Sequence, residues 1–432
     1  MLHGIITNGT NGNHTEFATM DTETLREIVG EVVNNTQVTD IHTHLFAPEF
    51  GKMNLYGIDE LLTYHYLVAE LFRFCDIKPE EFFNLNKSEK AEFVWKYLFV
   101  ENSPLSEAAI GVITVLNELG LDANTHDLNE IRAYFNAVEL SEHTNRILQK
   151  AKVKKVVMTN DPFDAEEVEI WEKTAQMNEH FSAALRLDRL LNNWHNTATK
   201  QNWSNDLNKN TISEIRQFFD VWIEKMSPLY LAVSLPDSFD YFALDNRNKL
   251  IREVVLPTAR EHNLPFALML GVRRNVNPTL RAAGDGVGLC DNKSLENLCL
   301  ENPEVNFLAT YLSRENQHEL CVSARKFSNL MPFGCWWFLN NPSIVLEITK
   351  ERLELLGTSF IPQHSDARVL EQLIYKWKHS RKIIADVLTE SYDRLINAGR
   401  NITKREIERD VEKLFSGNFQ NWTKSVKTEP TI

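Results

Sequence analysis

The segment Thr39-Asp40-Ile41-His42-Thr43-His44-Leu45 combines residue types and a spacing that could do chemistry. Residues two apart on an extended strand face the same side. His42 and His44 therefore project together and offer two imidazoles to one divalent cation. A His-x-His pair alone is a weak signal, and the competing reading is two histidines hydrogen-bonded in a polar loop. A second segment, Gln363-His364-Ser365-Asp366-Ala367-Arg368, brings a carboxylate at Asp366. It can complete a three-ligand set, and a carboxylate beside a metal can also shuttle protons. Three protein ligands with open positions suit one catalytic ion rather than a closed structural site. The donor set fits Zn²⁺, the expected ion, and also Mn²⁺, Fe²⁺ or Co²⁺. His364 shares strand parity with Asp366, and plain hydrogen bonding is its expected role.

For these residues to meet, the elements carrying them must be neighbours. Eight apolar, β-rich segments run along the chain: Val38–Leu45, Val153–Asn160, Phe181–Leu187, Leu229–Leu235, Pro265–Val272, Phe307–Leu312, Leu330–Phe338 and Thr358–Gln363. Most are continuous apolar runs, as expected of parallel strands buried on both faces. Each is followed by a helical pattern, which is the arithmetic of a closed barrel. The expected fold is thus α/β, a distorted (β/α)8 TIM-type barrel; a doubly wound open sheet is the alternative. Closure makes the first and eighth strands adjacent and carries Asp366 to His42 and His44. More than 100 residues separate the first two segments, with helical patterns such as Asp59–Phe74 and Ser106–Leu119. This reads as a helical insertion, about 46–150, on the C-terminal face that bears active sites in barrels. Residues 1–20, rich in Gly, Asn and Thr, read as a disordered tail. A single barrel domain is expected over 21–432, its first helix beginning between Asp21 and Thr24; Asp21 is a good N-cap type, and Thr24-Leu25-Arg26-Glu27 fits a capping box.

Composition narrows the function classes. The chain has 432 residues, of which 43% are hydrophobic, enough for a large core without disulfides. Net charge is −14 with no basic stripe, so neither nucleic acid nor an anionic membrane is an expected partner. Five cysteines without Cys-x-x-Cys spacing read as reduced thiols. No signal pattern and no apolar run of ~20 residues is visible. The expectation is a cytoplasmic enzyme acting on a small molecule, self-associating into a homo-oligomer.

Further residues suggest the substrate. His65 and Tyr66 follow the first segment, Arg186 ends the third, and Arg368 lies two residues past Asp366. Two arginines around a metal in an acidic protein point to an anionic, oxygen-rich substrate. Trp336 and Trp337 follow the seventh segment. Packing between strand and helix is the usual fate of a tryptophan; Trp337 is carried here as a substrate contact.

His42-Thr43-His44-Leu45, His65-Tyr66, Arg186 and Asp366-Ala367-Arg368 together resemble a divergent bacterial branch of the uronate isomerases, within the amidohydrolase superfamily. The likeness runs from about Val38 to Trp422, through Met158-Thr159-Asn160-Asp161-Pro162-Phe163-Asp164, Leu312-Ser313-Arg314-Glu315-Asn316-Gln317-His318-Glu319 and Phe333-Gly334-Cys335-Trp336-Trp337. The chain lacks the lysine of the fourth strand and the histidines of the fifth and sixth with which many hydrolases of that superfamily hold a second metal. The resemblance implies aldose–ketose isomerisation of hexuronates through a cis-enediol, D-glucuronate to D-fructuronate and D-galacturonate to D-tagaturonate, with one metal. It implies that the metal holds the C6 carboxylate and C5 hydroxyl, and that Asp366 handles the C2 proton. Tyr66 would bond the C1 carbonyl, Arg368 the C2 and C3 hydroxyls, and Arg186 the carboxylate, with His65 positioning. Alternatives are a metal-dependent hydrolase or decarboxylase of a small carboxylated substrate, with Asp366 as general base, and a non-catalytic sugar-acid binding protein. Ketose formation against ester hydrolysis separates them.

Overall fold

The computed structural model describes residues 21–174 and 176–424; the tail expected over 1–20 lies outside them. Seven parallel strands form one sheet in the order β1 (Val38–Thr43), β2 (Val153–Asn160), β3 (Phe181–Arg186), β4 (Leu231–Pro236), β5 (Phe266–Arg273), β7 (Phe307–Tyr311) and β8 (Leu330–Pro332). A two-residue strand, β6 (Gly286–Val287), pairs antiparallel with β5. Alternation along the strands separates two apolar layers, as a barrel requires. Val157, Ala184, Ala232, Ala267, Met269, Leu308 and Met331 face one interior cluster. Val156, Met158, Leu185, Val233, Leu268 and Phe307 face the helices outside. Phe419, from the helix Asn418–Lys424, joins the interior cluster and meets the Tyr230 ring edge-on at 5.9 Å.

Two strand expectations need correction. The seventh segment is a strand only over Leu330–Pro332, because the chain turns at Gly334, whose φ is +63°. An added Cβ there would fall 1.8 Å from His364 Nδ1, so the close approach also demands glycine. The eighth segment is no regular strand and keeps only a bridge between Phe333 and Ile361. Pro362 has no N–H to give to a ladder. Closure is instead a shared job. Ile361 exchanges backbone hydrogen bonds with the chain after β7, Gly334 N–H to Ile361 O at 2.8 Å and Ile361 N–H to Pro332 O at 3.1 Å. On the other side, Asp366 N–H reaches His42 O at 3.2 Å and His44 N–H reaches Ala367 O at 2.8 Å. Side chains fill the gap between: Gln363 Oε1 accepts from Cys335 N–H (2.8 Å), and Asp40 accepts from Ser365 N–H (3.0 Å) and Trp377 Nε1–H (2.8 Å). The result is an α/β barrel distorted at its seam.

The chain between β1 and β2 is helical, including Ile58–Leu62, His65–Leu71, Glu107–Leu119 and Leu140–Ala151. It is tied to the segment after Asp366 by a fully buried pair, His143 Nε2 with Glu371 Oε1 at 2.6 Å, and Glu371 also accepts from Gly57 N–H. The first helix, Thr22–Asn35, is capped by Asp21, which accepts from Thr24 N–H at 2.7 Å; of the two caps the sequence offered, Asp21 is the one used. No helix among the described residues is long and apolar enough to cross a membrane.

Gly111, within Glu107–Leu119, faces the ring of Tyr375 on the long helix Gln372–Asn397; an added Cβ would lie 2.7 Å from it. Helix propensity alone would make Gly111→Ala stabilising by about 0.5–1 kcal/mol. Overpacking at a buried ring costs about 1–3 kcal/mol and should win. Gly111→Ala is expected to lower the melting temperature by several degrees; a rise in a thermal melt would show that Tyr375 yields freely.

Candidate metal centre and active site

The end of β1 and the closing segment converge as the first and last elements of the barrel. His42 Nε2 lies 3.8 Å and His44 Nε2 3.3 Å from the same atom, Asp366 Oδ1. The three side chains can each offer one ligand atom within 4.8 Å of the others, and they are the one such group of three among the described residues. Asp366 adopts φ +50°. Aspartate tolerates that left-handed conformation better than most residues, and it turns the carboxylate back over β1. The β1–β2 register slips between Asp40 and Thr43, a bulge of the kind that re-aims side chains beside active sites.

The outer nitrogens of both histidines decide what the inner ones can do. Tyr230 O–H donates to the Ile41 carbonyl at 2.6 Å, so at its 3.2 Å contact with His42 Nδ1 the phenol oxygen accepts. Thr159 O–H likewise donates to the Thr43 carbonyl at 2.9 Å and accepts from His44 Nδ1 at 3.1 Å. Each imidazole therefore carries its proton on Nδ1 and presents a bare Nε2 lone pair toward Asp366. Burial reinforces this, lowering His42 to about 3 despite the pull of Asp366, and His44 well below the ordinary value. Asp366 Oδ1 is buried and has no hydrogen-bond donor. Two lone pairs and an unpartnered carboxylate oxygen aimed at one point repel one another unless a cation joins them. The residues present fit a divalent metal.

Around this trio lies a small cavity whose walls include Arg186, Arg368, His65, Trp337, Ser234 and Arg274. Arg186 is gripped by Asp188 through two hydrogen bonds, Nε–Oδ2 at 3.0 Å and NH2–Oδ1 at 3.3 Å. His65 Nε2 accepts from Trp337 Nε1–H at 3.1 Å, and burial lowers the imidazole to about 3. Trp337 sits at φ +50°, an uncommon conformation for a bulky residue, and stacks on Phe338 at 4.8 Å. Trp336 lines the cavity too but is 3% exposed. Two residues singled out from sequence, Tyr66 and His364, do not line the cavity. The Tyr66 hydroxyl is buried without a partner, behind His65 at a ring distance of 4.5 Å. His364 packs against His42 at 5.3 Å, yet neither of its ring nitrogens has a partner, so the plain hydrogen-bonding role expected of it is absent.

Sequence reasoning missed Tyr230, Thr159, Ser234 and Arg274. Arg274 stood in view as half of the Arg273-Arg274 pair just past β5. Tyr230 had no signal, because its role depends on a hydrogen bond across the barrel interior.

No protein-family model and no curated protein matches the chain. Solved structures do. A uronate isomerase from Bacillus halodurans C-125 is 52% identical, with 93% of this chain and 97% of that one covered at a TM-score of 0.91. This chain belongs to the uronate isomerase family. Two other solved structures share the fold at low identity. A uronate isomerase from Thermotoga maritima is 15% identical over 96% of this chain and 100% of that one, at a TM-score of 0.74. A glucuronate isomerase from Caulobacter crescentus is 13% identical over 97% and 98%, at 0.75. The barrel and its family thus agree with the reading from motifs.

If Tyr230 holds the His42 tautomer, Tyr230→Phe should weaken divalent metal binding about 10- to 100-fold, as loss of such outer partners does. Competition with a chromophoric chelator measures this, and an unchanged affinity would break the tautomer argument.

Proposed function

We propose that the chain is a uronate isomerase interconverting D-glucuronate with D-fructuronate and D-galacturonate with D-tagaturonate. The observation that carries this reading is the 52% identity to a uronate isomerase over 93% of the chain. The convergence of His42, His44 and Asp366 beside Arg186 and Arg368 supports it. A divalent cation held by that set, for which zinc is the expected ion, would supply charge that anchors the sugar's oxygens and stabilises negative charge as it develops.

The chain's own groups account for the proton movements. Asp366 takes the proton from C2, the electron pair moves into the C1–C2 bond, and the Tyr66 hydroxyl gives its proton to the C1 carbonyl oxygen, giving the cis-enediol. Tyr66 then recovers a proton from the O2 hydroxyl while Asp366 returns its proton to C1, leaving the C2 ketone and both groups in their starting states. Arg368 donates to the C2 and C3 oxygens and stabilises the charge that grows there. Arg186, held in plane by Asp188, pairs with the carboxylate. His65, fixed by the Trp337 indole, orients the sugar. Tyr66 is assigned to the C1 oxygen. Its buried, partnerless hydroxyl is costly in the free protein, and a substrate oxygen relieves that cost once the cavity opens to admit one. The space beside the trio is about 30 Å³, so side chains such as those of Trp337 and Arg274 move aside to admit a sugar.

Incubation of the metal-loaded enzyme with glucuronate in D2O, followed by NMR, tests the reaction. Ketose carrying deuterium at C1 is expected; absence of ketose would sink the function, and full retention of the original hydrogen would point to hydride shift instead. Arg186→Met should raise KM for glucuronate about 10- to 100-fold, the loss of one charge-assisted contact of about 1.5–3 kcal/mol. A large fall in melting temperature with unchanged KM would make Arg186 structural.

A further inference from the structure

Beyond the small cavity lies a second one, about 400 Å³. That is within the size range of ligand pockets, about 300–1,000 Å³. The two cavities share Arg186, Ser234 and Arg274 in their walls. These three residues therefore form the partition between a chamber large enough for a sugar acid and the inner space that is not. The outer chamber adds Arg189 and Arg247, so four guanidinium groups border it.

Three of the four are already neutralised. Arg186 is paired with Asp188, Arg189 with Asp161 and Asp164, and Arg274 with Asp285. Arg247 differs: its Nε donates to the Leu191 carbonyl at 3.1 Å, and it forms no ion pair among the described residues. The carbonyl anchors the guanidinium without cancelling its charge, leaving the terminal nitrogens for an anion. Arg274 is a preformed second reader, its guanidinium 5.6 Å from the Trp337 ring centroid and its other side on Asp285. In a chain of net charge −14, a free cation in a concave chamber is a local reversal of field, which raises the local concentration of an anionic ligand.

We propose that this chamber is an outer binding site for carboxylated sugars, with Arg247 capturing the carboxylate and Arg274 passing it inward past Ser234 to the metal trio. The sugar-acid class rests on the isomerase reading above; the anion site itself rests on the arginines. Arg247 does not line the inner cavity, so it acts in capture and not in the proton transfer.

Two measurements keep the proposal apart from the isomerase reading. The first is equilibrium binding of D-glucarate, a six-carbon dicarboxylate with no aldehyde to isomerise, to wild type and to Arg247→Gln by calorimetry. Binding about 10-fold weaker in the variant, at an unchanged melting temperature, is expected; equal binding overturns the outer site whether or not the enzyme turns over glucuronate. Should Arg247→Gln fold poorly, Arg247→Lys, which keeps the charge, must restore both folding and glucarate binding, and restored folding with binding still lost would overturn the capture role. The second is kcat/KM for glucuronate against salt. Wild type should fall steeply with ionic strength, and Arg247→Gln should be about 10-fold lower at low salt with a flatter slope and kcat within about 2-fold. A variant with lowered kcat and normal KM would overturn the assignment. Failure of wild type to form ketose would count against the isomerase reading alone.

Discussion

Everything in the upper half of this barrel depends on bringing three groups of like polarity to one point. Two imidazole lone pairs and a carboxylate oxygen converge within 4.8 Å, in surroundings from which burial has removed most of the water. Such an arrangement is unfavourable until a cation binds, so the scaffold must hold it by means that do not involve the ligands themselves. Backbone hydrogen bonds do this: Asp366 N–H to His42 O and His44 N–H to Ala367 O join the ligand-bearing residues main chain to main chain. The bonds that close the barrel and the bonds that assemble the metal site are the same bonds.

That economy explains the irregular seam. A regular eighth strand would put Asp366 in a pleat; here the chain is released from the ladder at Pro362 and rejoins β1 at Asp366, in a left-handed turn that aims the carboxylate inward. Side chains replace the missing rungs. Asp40, wholly buried, has its carboxyl pushed up to about 6 by desolvation against hydrogen bonds from Ser365 and Trp377. The helical segment after β1 holds the same stretch from outside, through the buried His143–Glu371 pair. Seam, insertion and long C-terminal helix thus fix one loop, and the loop carries Asp366 and Arg368.

Arginine placement follows a related logic. A guanidinium beside a metal adds positive charge that opposes cation binding, and the pairing of Arg186 with Asp188 offsets this while keeping the donor fork planar and ready. The same pairing at Arg274 and Asp285 places its neutralising carboxylate on the loop between β5 and β6. Beyond the inner cavity, Arg247 also lacks an ion pair among the described residues.

The two-residue spacing of His42 and His44, the apolar runs of the strands and the Asp366-Ala367-Arg368 motif were legible in the sequence because they are local: period, run length and adjacency are properties of a chain before it folds. They pointed to the barrel and to the metal trio, and the motifs carried the resemblance to the family. The same locality overstated the seventh and eighth strands, since Leu330–Phe338 and Thr358–Gln363 are apolar enough for strands, and only the approach of His364 to Gly334 and the missing N–H of Pro362 decide otherwise. Adjacency did not show that His65 would line the cavity while the Tyr66 hydroxyl lies buried behind it, a difference that comes from helix geometry. Tyr230, Thr159 and Arg247 were invisible because each acquires its meaning from a partner far away in sequence. Only the closed fold sets Tyr230 beneath His42, 188 residues away in the chain, because hydrogen-bond direction and charge neutralisation are decided by which atoms meet in space.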